Sequence, residues 1–138
     1  MIIDSSALVS ILTGEPTAER LLDAIQQADR LAISAATLVE TSIVLEAKQG
    51  RDAVDDLHQL LADLDCEVTA FDEEQALLAA QAWRRFGKGR HPAALNLGDC
   101  YSYACAKGSR ESLLFVGEDF SQTDIRAAIW DGEPTQRD

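Results

Sequence analysis

With 138 residues, 46% of them hydrophobic, and only three prolines and eight glycines, the chain can bury roughly two-thirds of its unfolded surface, which excludes a disordered or low-complexity protein. Twelve basic residues against 24 acidic ones give a formal net charge of -12, a field that repels nucleic acid at long range. Any nucleic-acid role must therefore be local, through a basic segment or through divalent cations held by the acids.

The opening run Ile2-Ile3 reaches Asp4, then small hydroxyl residues and a helical pattern, which predicts a buried strand whose end holds Asp4 at a strand-to-helix turn. Ser6 to Leu12 is helical and stops at Gly14 and Pro16; Thr17 caps a second helix carrying Leu21, Leu22 and Ile25. Arg30 to Ser34 is a strand, and Ala35 to Gln49 a helix ended by Gly50. Residues 51 to 64 form an amphipathic helix with Val54, Leu57, Leu60, Leu61 and Leu64 on one side. Cys66 to Phe71 is a strand, and Asp72 caps a helix to about Phe86 in which Ala76, Leu77, Ala80 and Trp83 recur at helical spacing. A loop follows from Gly87 to Pro92. A helix runs from Asn96 to about Lys107, punctuated by Gly108; Ser112 to Val116 is a strand, and Ile125 to Trp130 an edge strand. The alternation implies an α/β fold in a single domain spanning residues 1–138.

The cysteines Cys66, Cys100 and Cys105 lack the spacing of a zinc site and fit free thiols in a reducing compartment. With no basic leader pattern, and with Asp4 interrupting the first apolar stretch, a cytoplasmic protein without a membrane helix is expected.

Four acids occupy telling places. Asp4 and Asp119 follow strands, where a helix cap or a solvated loop is the plain explanation and a ligand site at the carboxyl edge of a parallel sheet the alternative. Asp99, after Asn96-Leu97-Gly98, lies in the first turn of its helix, where a negative charge gains from the helix dipole and the free backbone donors, so that capping alone suffices to explain it. Glu40 shares a helical stripe with Ala36, Ile43, Val44 and Ala47 that is expected to face the core; a carboxylate there either reaches water at the sheet edge or meets a cation. One acidic pocket neutralised by Mg²⁺ or Mn²⁺ accounts for all four together. Trp83 to His91 concentrates Arg84, Arg85, Lys88 and Arg90 beside aromatic and glycine residues, which suits a phosphate backbone as well as a solvated helix end. His58, in an acidic helix, is expected to be solvated.

Ile-Ile-Asp-Ser-Ser-Ala-Leu-Val at 2–9, Val-Glu-Thr at 39–41, Leu-Gly-Asp-Cys-Tyr-Ser-Tyr-Ala at 97–104 and Leu-Leu-Phe-Val-Gly-Glu-Asp-Phe at 113–120 occur in order across nearly the whole chain. In these motifs the chain resembles the PIN-domain ribonucleases of the VapC toxin type. The resemblance implies a five-stranded parallel sheet flanked by helices and an acidic pocket for Mg²⁺ (or Mn²⁺) made of the catalytic residues Asp4, Glu40, Asp99 and Asp119. It further implies Asp4 and Asp99 as metal ligands, Ser6 as the hydroxyl that orients Asp4, and cleavage of RNA such as tRNA or rRNA. A VapB-type antitoxin and a homodimer are the partners it implies. One departure stands out: many members carry a further aspartate where this chain has Gly117. The competing readings are a receiver-type Mg²⁺-binding signalling domain, which would place paired acids after the first strand where this chain has serines, and a non-catalytic interaction protein.

Overall fold

The computed structural model describes residues 1–128. Four short parallel strands, β1 (Ile2–Ile3), β2 (Ala32–Ser34), β3 (Glu67–Thr69) and β4 (Leu113–Leu114), lie in the order β3-β2-β1-β4. Ile2 pairs with Ala32 on one side and Leu113 on the other. Because side chains alternate across a sheet, Ile2, Ala32 and Leu113 join one core, while Ile3, Ile33 and Leu114 join the other. Helices α5 (Glu73–Phe86) and α6 (Leu97–Ser109) cover the first face; α1 (Ser5–Leu12), α2 (Ala18–Gln26) and α4 (Asp52–Asp63) cover the second. Helix α3 (Ala35–Gln49) follows β2 and packs on both α1 and α6.

The α/β class is as expected, but the sheet has four strands among the described residues rather than five. At the β4 edge, Ala127 makes a single parallel bridge with Leu113, in which Leu113 N–H donates to the Arg126 carbonyl (3.0 Å) and Ala128 N–H to the Leu113 carbonyl (2.8 Å). The end of the expected edge strand, residues 129–130, lies outside the described residues.

Helix α3 has the expected bounds. Ser34 Oγ accepts from Ala36 N–H (3.2 Å) at its start, and Gly50, at φ +89°, stops it. Its core face, however, is Thr37, Thr41 and Leu45; the stripe of Ala36, Glu40, Ile43, Val44 and Ala47 turns outward or to the edge, and Ile43 is exposed. A similar correction applies to α5. Its buried residues are Gln75, Ala79, Ala82 and Phe86, while Leu77 and Trp83 are exposed. Small residues let α5 approach α6 closely: Gly108 leaves no room for a Cβ beside the Gln75 amide, whose Nε2 donates to the buried Ala104 carbonyl (3.0 Å). Helix α6 runs through Gly108 to Ser109 and is capped by Arg110, which adopts φ +57°. Thr17 occupies the cap position of α2 without making a side-chain cap bond. Cys100 and Cys105 are buried free thiols and Cys66 a half-buried one; His58 is exposed. No helix among the described residues is long and apolar enough to cross a membrane.

Candidate active site

A parallel sheet delivers the carboxyl ends of its strands to one edge, and each predicted acid is found there or on a helix facing it. Asp4 leaves β1 with extended backbone and caps α1: its Oδ2 accepts from Ser6 N–H (3.1 Å) and its Oδ1 from Ser102 Oγ (2.5 Å). It is 4% exposed. Burial pushes its carboxyl above the usual 3.8, and the hydrogen bonds from Ser102 and Ser6 pull the other way. The Ser6 hydroxyl also accepts from Val116 N–H (2.9 Å), which ties α1 to the segment leaving β4.

Asp99 opens α6 in a capping box, its N–H donating to Asn96 Oδ1 (2.8 Å) and its Oδ2 accepting from Asn96 N–H (3.1 Å). The cap explains its place in the chain but not its environment. Burial first, then the charges of Asp119 and Asp4 and a hydrogen bond shared with Asp119, lift its carboxyl to about 7 against the pull of the Asn96 amide. Asp119 itself stands exposed in the turn after β4. Gly117, in the place of the further aspartate, adopts φ +104°, which a side chain would strain.

Glu40 reaches the same cluster from α3. Its carboxylate lies over Gly98, where an added Cβ would run into it. Burial and the charge of Asp4 raise its pKa, with the Ser5 hydroxyl opposing. Its Oε1 is buried without a hydrogen-bond partner. The charges of Asp4, Glu40, Asp99 and Asp119 thus act on one another, and among the described residues no ion pair reaches any of them. Mutually repelling, partly desolvated carboxylates with an orphaned oxygen form a donor set suited to a hard divalent cation such as Mg²⁺. Among the described residues no three such groups are placed to enclose an ion as they stand.

Sequence reasoning missed Ser102 and Thr37. Both are wholly buried, and Ser102 supplies the hydroxyl closest to Asp4. The available signal was spacing: Ser102 is one turn after Asp99, and Thr37 one turn before Glu40.

The basic segment divides into two groups. Arg90 stacks its guanidinium 4.8 Å from the Trp83 ring and donates from Nε to the Arg84 carbonyl (3.1 Å). Lys88 lines an apolar hollow of about 580 Å³ with Trp83, Leu97 and Tyr101. Leu97 and Tyr101 also wall a second hollow, of about 480 Å³, that contains Glu40. Arg84 is exposed. Arg85 turns away from that surface and pairs with Asp124 (3.4 Å).

Comparison with known proteins agrees with this architecture. The family model of the PIN domain matches residues 1–126. A Mycolicibacterium smegmatis protein named Ribonuclease VapC is 47% identical over 127 residues, covering 92% of this chain and 98% of the relative. Ribonuclease VapC42 of Mycobacterium tuberculosis is 43% identical over 129 residues, covering 93% and 98%. The crystal structure of Mycobacterium tuberculosis VapC20, described as a sarcin-ricin loop cleaving toxin, superposes with a TM-score of 0.74 at 15% identity, over 90% of this chain and 95% of that one. VapBC2 of Rickettsia felis, bound to a promoter DNA fragment, gives 0.71 at 11% identity over 94% and 98%.

Proposed function

The chain belongs to the PIN-domain family, and from that premise we propose that it is the toxin of a toxin–antitoxin pair, an endoribonuclease that hydrolyses RNA phosphodiester bonds with Mg²⁺, for which Mn²⁺ can substitute. The observation that carries this reading is the unpaired, partly buried carboxylate cluster, in which Glu40 Oε1 has no partner and Asp99 is lifted to about 7. Stability alone would favour a nearby lysine or arginine.

Asp4 and Asp99 are the metal ligands in this reading, and Asp119 extends the set from its exposed turn. When bound, Mg²⁺ supplies a lowered water pKa and neutralises charge developing at the scissile phosphate. Glu40 Oε1, free of hydrogen bonds, accepts the attacking water's proton; the raised pKa of this carboxyl brings its basicity toward the operating pH. Arg84, Lys88 and Arg90 hold the RNA backbone beside the hollow that leads to Glu40, with Arg85 contributing from the far side of α5. A VapB-type antitoxin is the partner, and its basic residues would complement the acidic pocket. The exposed apolar side chains of α3, α5 and α6, Val39, Ile43, Leu77, Trp83 and Leu97, support a homodimer through helical faces. The whole chain, residues 1–138, acts as one domain in the cytoplasm.

Incubating purified protein with small structured RNAs, with Mg²⁺ or with excess chelator, tests the reading. Cleavage is expected only with the metal, and Asp99→Asn should lower it by about a thousandfold or more. Equal cleavage in chelator, or by the variant, would overturn it.

A further inference from the structure

Three hydroxyl side chains, Thr37, Thr41 and Ser102, are 0% exposed where α3 meets α6. Thr41 is satisfied within its own helix, donating to the Thr37 carbonyl (2.8 Å). The other two form a chain: Thr37 Oγ1 and Ser102 Oγ lie 3.3 Å apart, and Ser102 Oγ donates to Asp4 Oδ1 at 2.5 Å. With Asp4 ionised, as a metal ligand is, proton counting gives the direction. An ionised carboxylate has no proton to give, so the single hydroxyl proton of Ser102 goes to Asp4, and Ser102 accepts from Thr37. Packing alone does not call for these hydroxyls. Alanine at 102 and valine at 37 would fill nearly the same space without the desolvation that a buried hydroxyl incurs. Their placement therefore serves Asp4, whose other oxygen is already held by the Ser6 amide from α1. One carboxylate is gripped at both oxygens, by two different helices, from inside the protein.

We propose that Ser102, itself held by Thr37, is a positioning residue that fixes the Asp4 carboxylate in the orientation that receives a divalent cation. The inference rests on the metal-dependent reading above and deepens it: partners behind a ligand set its geometry and affinity. It also explains why a hydroxyl residue, Thr37, stands on the core face of α3 beside Ser102.

Binding of Mn²⁺ to the full chain, measured by calorimetry, tests this alongside steady-state cleavage of RNA. Ser102→Ala should weaken Mn²⁺ binding about tenfold and lower kcat while leaving KM for RNA unchanged. Thr37→Val should weaken it a few-fold, Thr37→Ser should restore it, and the double variant Ser102→Ala with Thr37→Val should be no weaker than Ser102→Ala alone, because Thr37 acts through Ser102. Ser102→Ala binding Mn²⁺ as the wild type does, or losses that simply add, would overturn the proposal. Should Ser102→Ala fail to fold, the pair Thr37→Val and Thr37→Ser decides, equal affinities counting against it. Wild-type protein that binds no Mn²⁺ would overturn the metal reading and this inference together; wild-type binding unaffected by either hydroxyl would overturn the inference alone.

Discussion

Asp99 opens α6 and Asp124 sits against its second half, yet the two carboxylates live in opposite electrostatic worlds. Asp124 accepts hydrogen bonds from Tyr103 Oη (2.7 Å) and Lys107 Nζ (2.7 Å), with Arg85 at 3.4 Å. Partial burial alone would raise its pKa, but Lys107, Tyr103 and Arg85 draw it down to about 2. Asp99 has only backbone amide help, and burial plus the neighbouring acids carry it up to about 7. The chain has twelve basic residues and sets two of them on Asp124. Lack of cations is thus a property of the acidic pocket and not of the molecule, as expected where a cation must arrive from solution.

The contrast can be broken most strongly by giving the pocket a charge of its own. Ala36 lines the same hollow as Glu40, one turn earlier on α3. Ala36→Lys is expected to raise the melting temperature of the metal-free protein and to slow RNA cleavage about a hundredfold by occupying the cation's place. Melting curves without metal and initial rates in Mg²⁺ check both, and unaltered rates would mean that the pocket's repulsion plays no part in the chemistry.

Titration sharpens the contrast with a smaller effect. Folded, Asp99 keeps its proton up to about 7; unfolded, it releases it near the ordinary 3.8. Between those values the folded state binds more protons, so its stability must fall as pH rises through the interval. Without metal, the melting temperature should drop by about 5 °C from pH 5 to pH 8, and saturating Mg²⁺ should largely abolish the drop. A melting temperature that rises over this range would contradict the assignment of Asp99 to a repulsive cluster. Asp124 offers the smallest effect and the opposite sign. Its depressed pKa contributes stability above the unfolded value, lost as pH falls toward 2. Because the site is partly exposed, Asp124→Asn should cost only about 1 kcal/mol in urea unfolding at pH 7 and leave cleavage rates alone.

Much of this arrangement was legible in the residues. The helical run from Ala35 and its stop at Gly50 gave both ends of α3, and Asp99 in the first turn after Asn96 caps its helix as expected. Which face each helix buries was less legible, because bulk misleads where helices must come close. Trp83 and Leu77 drew the eye on α5, while Ala79 and Ala82 make the contact with α6. On α3, the apolar stripe around Glu40 proved to border a surface hollow, and threonines took the core. Ser102 could not be distinguished from any small helical residue until Asp4, 98 positions away in sequence, was seen beside it. A two-residue β4 likewise gives little periodicity from which to count strands, so the fifth was expected where only Ala127 bridges.

Gly98 carries a consequence of its own. The carboxylate of Glu40 rests where any side chain at that position would have to go. An alanine there, one nucleotide away in the genetic code, would meet the Glu40 carboxylate first and force it to shift. On the function proposed above, a single mutational step at this position thus weakens the toxin through Glu40 and not through its fold.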